Sequence, residues 1–517
     1  MAKSREELER KLASLEKSAL QADPKAAAKM KSEGKLGARE RVDKLLDAQT
    51  FVEEFMLAET QCTDFGMADK KVPSDGVVTG FGKIDGRPVY VFAQDRSILA
   101  GSVGSAHAEK IAYVLQTARK LGVPVIGLWD SAGARIQEGL SVTTAIGKIF
   151  FENSITSGCV PQISAIMGPC IGVGSYSPAL TDFIIMVEKS SQMFITGPAV
   201  IKEVLGEQVT MEELGGSKIH SEVSGVTDFV TKNDEECLAL IRRLVGFLPS
   251  NFESAPPRRE TSDSRHRSLD ALVTMVPEEM RKAYNILPVI KAIVDDGDFL
   301  ELKPKFARNL VIGLGRLDGH PVGWVANQPM FLGGSLDIDA SDKAARFIRF
   351  CDAFNIPVVT LMDVPGFFPG KQQEQKGIIR HGAKMLYAYA EATVPKITVI
   401  LRKGYGGAKQ AMCTREMGAD QLFVWPGIEL AVMGGGGAIN VLYRREIEQS
   451  ADPDKTRLEK LAEFAERFSG PFEALSKQFA QAAIRPAETR KRLIDSLEIL
   501  REKREDRPRK KHGIMPV

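Results

Sequence analysis

The feature that most restricts how this 517-residue chain can fold is an internal repeat. Residues 80–130 align without a gap against residues 313–363, at a constant offset of 233. GFGKIDGRPVYVFAQD in the first half faces GLGRLDGHPVGWVANQ in the second, with Gly80/Gly313, Gly82/Gly315, Asp85/Asp318, Gly86/Gly319, Pro88/Pro321 and Val89/Val322 identical. An Asp-Gly pair between two apolar runs predicts a β-hairpin, because these residues tolerate the left-handed backbone of a tight turn. The match continues through AEKIAYVLQTARKLGVPVIGLWD against SDKAARFIRFCDAFNIPVVTLMD, where Lys110/Lys343, Pro124/Pro357 and Asp130/Asp363 coincide. Apolar residues at helical spacing followed by a Pro-led apolar run predict a helix feeding a buried strand. After one inserted residue the register resumes, with CVPQISAIMGPCIGVGSYSPA from Cys159 opposite TVPKITVILRKGYGGAKQAMC from Thr393. Each half thus has an apolar strand ending in a Gly-rich turn, and the chain reads as two homologous α/β domains made by duplication.

The length suits two domains of roughly 250 residues each. The expected N-terminal domain spans 1–255 and the C-terminal domain 268–505; the Ser-, Pro- and Arg-rich stretch 250–268 has no apolar periodicity and reads as the boundary. Residues 506–517 form a basic tail, ending RPRKKHGIMPV, that is expected to be solvated. Residues 1–50 and 453–506 read as charged helices packing on the domains or on a neighbour. A formal net charge of +2 gives no global attraction to nucleic acid or an anionic membrane, so any basic site is local. Cys62, Cys159, Cys170, Cys237, Cys351 and Cys413 form no CxxC pair, so they are expected as buried free thiols rather than zinc ligands or disulfides. The start, MAKSREELERKLASLEK, lacks the apolar core of a signal peptide, and no run is long enough to span a bilayer; a cytoplasmic location is the expectation.

Two turns carry the candidate chemistry. Gly172, Val173 and Gly174 lie between a strand and a segment in which Ser177 and Pro178 are expected at the N-cap and first position of a helix. Amides at such a start have no intrahelical acceptor and can donate to an anion or a developing oxyanion. Gly406, Gly407 and Ala408 take the matching positions in the second half. Paired oxyanion sites suit an enzyme that moves a group between two carbonyl compounds, and each donor is worth about 3–4 kcal/mol in the transition state. No GxSxG, HExxH or Walker A motif is present. His107, His220 and His381 have no spaced metal or triad partner and read as structural. Asp130 and Asp363, each at a strand end, are left as caps of the following turn or catalytic acids.

The stretches GKLGARERVDKLLD, TDFGM, DGVVTGFG, GARIQEG, YSPALTDF, MFITGP, ANQP, DVPGFFPG, IIRHGAKMLYAYAEATVPKITVILRK, WPGIELAVMG and the terminal KKHG cover nearly the whole chain. On these residues it resembles the carboxyltransferase (beta) subunits of biotin-dependent acyl-CoA carboxylases, the family of propionyl-CoA carboxylase and methylmalonyl-CoA transcarboxylase. The resemblance implies a crotonase-like fold in each half and a ring-shaped homohexamer. It places acyl-CoA on the N-terminal domain of one subunit and biotin on the C-terminal domain of another. In the family mechanism carboxybiotin releases carbon dioxide, the ureido nitrogen takes the α proton of the thioester, and the enolate captures the carbon dioxide. Carried over by position, the thioester oxygen is held around Gly172, Val173 and Gly174, and the biotin oxygen by Gly407 and Ala408 beside Gly406. Ala132, Gly133, Ala134, Arg135, Tyr176, Lys409 and Gln410 are the implied substrate contacts. With no ATP-grasp domain and no AMKM-like biotinylation motif, the chain takes its biotin from a partner, a biotin carboxylase or biotin carboxyl carrier subunit.

The sequence departs from the family pattern at the proposed site. Val173 replaces the second glycine of a usual Gly-Gly pair and Ala132 a glycine of Gly-Gly-Ala-Arg, and both add bulk. Lys409 and Gln410 stand where propionyl-selective relatives have Tyr-Asp, which makes propionyl-CoA a default substrate. Lys409 either offers its ammonium to an acidic acyl group or carries it into solvent, and we read it as solvated. The competing functions are a transcarboxylase or sodium-pumping acyl-CoA decarboxylase subunit, a non-catalytic hexameric scaffold, and a crotonase-type hydratase or hydrolase. The last is disfavoured by the duplication and the missing acid-base carboxylate pair.

Overall fold

The computed structural model describes residues 4–21, 24–70, 72–468 and 470–517, so Met1 to Lys3 of the charged N-terminus lie outside it. The chain divides into two compact units, Met1–Ser254 and Ala255–Val517. The first holds an eight-stranded sheet: β1 Val52–Glu54, β2 Val77–Ile84, β3 Arg87–Gln94, β4 Val125–Ser131, β5 Gln162–Ile171, β6 Phe183–Val187, β7 Gln192–Phe194 and β8 Phe229–Thr231. The order is β1-β2-β3-β4-β5-β6-β8, with β7 beside the end of β5. The first three strands pair antiparallel and the rest parallel. The second unit repeats this with β9 Leu300–Leu302, β10 Leu310–Leu317, β11 His320–Asn327, β12 Val358–Val364, β13 Lys396–Tyr405, β14 Gln421–Val424, β15 Glu429–Ala431 and β16 Ala482–Ala483. Its order is β9-β10-β11-β12-β13-β14-β16, with β15 beside β13.

The local chemistry explains the elements. VIGLWDS of β4 and VVTLMDV of β12 are buried at every position, as parallel strands covered on both faces require. The helix Ser105–Leu121 turns Ala108, Ile111, Leu115 and Ala118 into the core and stops at Gly122, whose left-handed φ of 66° caps it. Its twin, Ile338–Ala353, buries Ala344, Ala345, Ile348 and Cys351. Both hairpins turn through left-handed pairs, Asp85 and Gly86 at φ 50° and 78°, Asp318 and Gly319 at 51° and 79°.

The duplication reaches further than the aligned stretch. The carboxylate of Asp47 accepts from the turn amides of Asp85 and Gly86 at 3.1 and 2.8 Å, and that of Asp295 from Asp318 and Gly319 at 3.1 and 2.7 Å. Arg242 then pairs with Asp47 at 2.9 Å and Arg490 with Asp295 at 2.7 Å. LLDAQTFVEE and IVDDGDFLEL are therefore equivalent segments, at an offset of 248 instead of 233.

Two expectations need correction. Cys170, Cys237, Cys351 and Cys413 are buried free thiols, but Cys62 and Cys159 are half-buried. The basic tail is not simply solvated: Lys510 pairs with Glu391, and Arg507 donates to the carbonyl of Ala392 at 3.0 Å. Burial alone would raise the Glu391 carboxyl, but hydrogen bonds from Lys510, Arg349 and Tyr387 outweigh it and hold the pKa down at about 2. Among the described residues no helix is long and apolar enough to cross a membrane, and no cluster of His, Cys, Asp and Glu could hold a metal ion.

The twin ion pairs differ in burial: the side chain of Arg490 is 0% exposed and that of Arg242 is 28%. Arg490→Met, which strands Asp295, is expected to cost about 3–5 kcal/mol in urea unfolding. Arg242→Met is expected to cost about 1 kcal/mol or less. Equal losses would show that burial does not decide the worth of this pair.

Candidate active site

In each sheet the longest strand runs into a helix with no linker. Gly172, at φ 60°, ends β5; its carbonyl accepts from the amides of Ser175 and Tyr176 at 2.9 and 3.1 Å, so the helix Val173–Ala179 begins at once. The expected N-cap Ser177 and first position Pro178 are therefore five residues late, the observed ones being Gly172 and Val173. Ser177 donates to Asn153 at 2.7 Å instead of capping, and Pro178 sits in the last turn, where a seven-residue helix loses little by a missing N–H. In the second unit Gly406, at φ 56°, opens the helix Gly406–Ala411 directly after β13.

The amide of Gly172 is used by the carbonyl of Phe194 at 3.2 Å. Those of Val173 and Gly174 have no acceptor among the described residues, and neither do those of Gly407 and Ala408. Each turn thus presents two adjacent free donors at the C-terminal end of a parallel strand, where open α/β sheets bind ligands. The extra bulk of Val173 does not intrude: its side chain is 5% exposed and packs in the same apolar core as Val142, Ile146 and Cys170. A Cβ on Gly174 would stand 3.2 Å from the Cβ of Cys170, whereas the second unit has Gly404 in place of Cys170 and Ala408 in place of Gly174. Volume has moved from strand to helix. A register shift on β4 between Trp129 and Ser131 recurs on β12 between Met362 and Val364, aiming both strand ends alike.

The loop after β4 is laced to the segment before the first long helix. Ala132 donates to the carbonyl of Ala100 at 3.1 Å, Val103 to Gly133 at 2.8 Å and Arg135 to Val103 at 2.8 Å. Gly366 and Phe368 repeat the last two bonds with Leu336 at 3.1 and 2.8 Å. Ala132 and Ala134 are exposed, while Arg135 is buried with every nitrogen engaged: Asp75 at 2.7 Å, Glu138 at 2.9 Å, and the Ser102 carbonyl and hydroxyl at 2.8 and 3.2 Å. Its guanidinium holds this loop. Tyr176 is 48% exposed. Gln410 has a buried Oε1 with no donor among the described residues. The Lys409 amine is not out in solvent: it is half-buried, 4.6 Å from the centre of the Phe479 ring, and burial lowers its pKa.

Sequence reasoning missed a second pair of donors. Leu99, Ala100 and Gly101 turn left-handed at φ 49°, 54° and 64°, and Leu332, Gly333 and Gly334 at 48°, 62° and 82°. The amides of Leu99, Ala100, Leu332 and Gly333 have no acceptor among the described residues. Both turns press on a strand end; a Cβ on Gly101 would come within 2.3 Å of the Asp130 carbonyl and one on Gly334 within 2.9 Å of that of Asp363. The signal was present inside the repeat, where QDRSILAGS faces NQPMFLGGS with Leu, Gly and Ser in register.

The aspartates are neither caps nor open acids. Asp130 is fully buried, 3.2 Å from Arg41 and 3.4 Å from Arg96, and Arg41 reaches on to Asp234 at 2.8 Å. Asp363 is held by Arg402 at 2.9 Å and Lys403 at 3.5 Å. Their amides donate to Gln94 and Asn327, a matched pair, at 3.1 and 3.0 Å. His107 is fully buried against Gln94 and the Asp75 carbonyl, and burial pushes its pKa down to about 3, so it stays neutral. In the first unit two cavities, of about 710 and 450 Å³, share Met30 and Lys35 in their walls. The larger touches Ala100 and carries Lys29, Lys35, Arg96, Lys189 and Lys232.

The carboxyl transferase domain model matches residues 29–515. The chain is 53% identical over 449 residues to the carboxyltransferase subunit of propionyl-CoA carboxylase of Haloferax mediterranei, covering 87% of each chain. It is 52% identical to methylmalonyl-CoA decarboxylase subunit alpha of Veillonella parvula, covering 87% of this chain and 86% of that one. Among solved structures, the transcarboxylase 12S hexamer with methylmalonyl-coenzyme A and methylmalonic acid bound superposes with a TM-score of 0.97 at 47% identity, over 100% of this chain and 99% of that one. With two crotonase-type domains bearing matched amide turns, the chain belongs to the carboxyl transferase domain family.

Proposed function

We propose that this chain is the carboxyltransferase subunit of a biotin-dependent acyl-CoA carboxylase, moving a carboxyl group from carboxybiotin to the α carbon of a short acyl-CoA such as propionyl-CoA. The observation that carries the reading is the twin turns, each with two adjacent unpaired amides. In the first unit, Val173 and Gly174 donate to the thioester oxygen and stabilise the negative charge that gathers there as the α proton leaves. Leu99 and Ala100 bring further amides to the same strand ends. Each donor contributes about 3–4 kcal/mol to the transition state, because it is already oriented and needs no reorganisation. Arg135 acts through the loop it anchors, keeping Ala132, Gly133 and Ala134 in place. The 710 Å³ cavity carries five cations against the three carboxylates Glu33, Glu188 and Asp234, and this positive balance is suited to the phosphates of coenzyme A.

In the second unit, Gly407 and Ala408 donate to the ureido oxygen of biotin, and the exposed Gly407 leaves room for a flat ring to approach. Biotin, carried by a partner subunit, supplies the carboxyl group and accepts the α proton. This chain contributes position and oriented dipoles. Tyr176, 48% exposed, and Gln410, whose buried Oε1 has no donor among the described residues, follow the free amides, and in this reading they are the side chains that contact the reactants. The inward packing of Val173 takes away one of the two departures, Val173 and Ala132, that speak for a scaffold without activity. A homohexamer working in the cytoplasm with biotin carboxylase and biotin carrier subunits is the matching assembly, in line with the hexameric transcarboxylase relative. A decarboxylase partnership would use the same half reaction in reverse, and the 52% identical decarboxylase subunit supports it as the second reading.

The purified chain should exchange labelled carboxyl between methylmalonyl-CoA and free biotin; no exchange with any malonyl-type CoA would defeat the proposal. Val173→Pro removes one free amide at a helix position that accepts proline, and is expected to lower kcat for exchange by about 10²–10³. Val173→Ala keeps the amide and should retain the rate, while losing roughly 2 kcal/mol in urea unfolding as a core position. If the alanine variant instead loses exchange and keeps its stability, the side chain faces the reactants and the assignment of the amide fails.

A further inference from the structure

The connection from β15 to β16, residues 432–481, is longer than its counterpart from β7 to β8, residues 195–228. The extra chain supplies the helices Pro453–Phe468 and Pro471–Ser476, which together with Gly435–Leu442 wall a cavity of about 620 Å³. This volume is ordinary for a small-molecule site. Its wall is mostly aliphatic and aromatic, including Leu430, Met433 and Phe464.

The charged groups on that wall are unequal. Lys477 is paired with Glu473 on the same helical stretch. Glu416 is exposed. Lys409 has no carboxylate within ion-pair distance among the described residues, Glu416 acting on it only from further off, and its half-buried amine lies 4.6 Å over the Phe479 ring. A partly desolvated ammonium served by a ring face and an exposed, more distant carboxylate still gains from a direct anion. With Lys477 taken up by Glu473, Lys409 is the cation left over on the wall, beside Glu416, which suits a single negative charge and disfavours a phosphate dianion.

We propose that this cavity binds an aliphatic carboxylate of medium chain length, its chain against Leu430, Met433 and Phe464 and its head on the Lys409 amine. The site adjoins the biotin-side turn, since Lys409 follows Ala408, but it uses neither pair of free amides and is tested by binding alone. Isothermal titration of the full chain at neutral pH should show octanoate binding at least tenfold tighter than octanol. Lys409→Met, which keeps the stem over Phe479, should bring the two affinities together, and Lys409→Arg should restore the preference. Thermal unfolding of each variant reports that it is folded. Equal affinities in the parent chain, binding of neither ligand, or a methionine variant that still prefers octanoate would each overturn the assignment.

Discussion

A strand that passes straight into a helix leaves the first amides of that helix without acceptors, and both candidate turns rest on this constraint. The left-handed glycine that makes the passage possible, Gly172 or Gly406, commits its own geometry so that the next residues have none to bond. Unpaired amides are tolerable only where water or a ligand can reach them. Anchors deeper in each unit keep the strand ends from relaxing: Asp130 with Arg41 and Arg96, and Asp363 with Arg402 and Lys403. Removing a partner from such a buried pair leaves a stranded charge, so these groups act as fasteners with a high penalty for loss.

The duplication preserved physical jobs more faithfully than residue types. Lys110 and Lys343 are identical and do the same thing: each buried amine donates only to carbonyls, those of Ser74 and Val77 in one unit and of Lys303, Phe306, Ala307 and Leu310 in the other. Burial lowers their pKa to about 8 and about 7. Gln94 and Asn327 differ by one methylene, yet both accept the amide of the strand-end aspartate. The Asp47 and Arg242 pair recurs as Asp295 and Arg490, with burial as the main difference.

Much of the fold was legible because hairpins, long helices and buried strands each carry a local period, and the repeat stated that period twice. The Asp47 and Asp295 segments stayed hidden because the spacing before the hairpin changed, which breaks a fixed-offset comparison without altering the contact. The glycines of the site were legible as a turn, but the helix start was misplaced because Ser177 and Pro178 look like a cap in isolation. Only the carbonyl of Gly172, already accepting from Ser175 and Tyr176, shows that the helix has begun. The left-handed turns at Leu99 and Leu332 escape a residue-by-residue reading, since leucine carries no preference for that backbone. The environment of Lys409 depends on Phe479, seventy residues away in sequence, and no local rule could supply it.

The exchange of volume between Cys170 with Gly174 and Gly404 with Ala408 has an evolutionary consequence. A Cβ at 404 would come within 2.8 Å of the Leu430 side chain and one at 174 within 3.2 Å of Cys170, so adding a side chain at either position crowds the contact, whereas Cys170→Gly or Ala408→Gly only opens it. The order of changes therefore matters: in the first half the strand must lose the Cys170 side chain before the helix can gain one at 174 without crowding. Drift between the two arrangements is thereby confined to one sequence of steps, small before large.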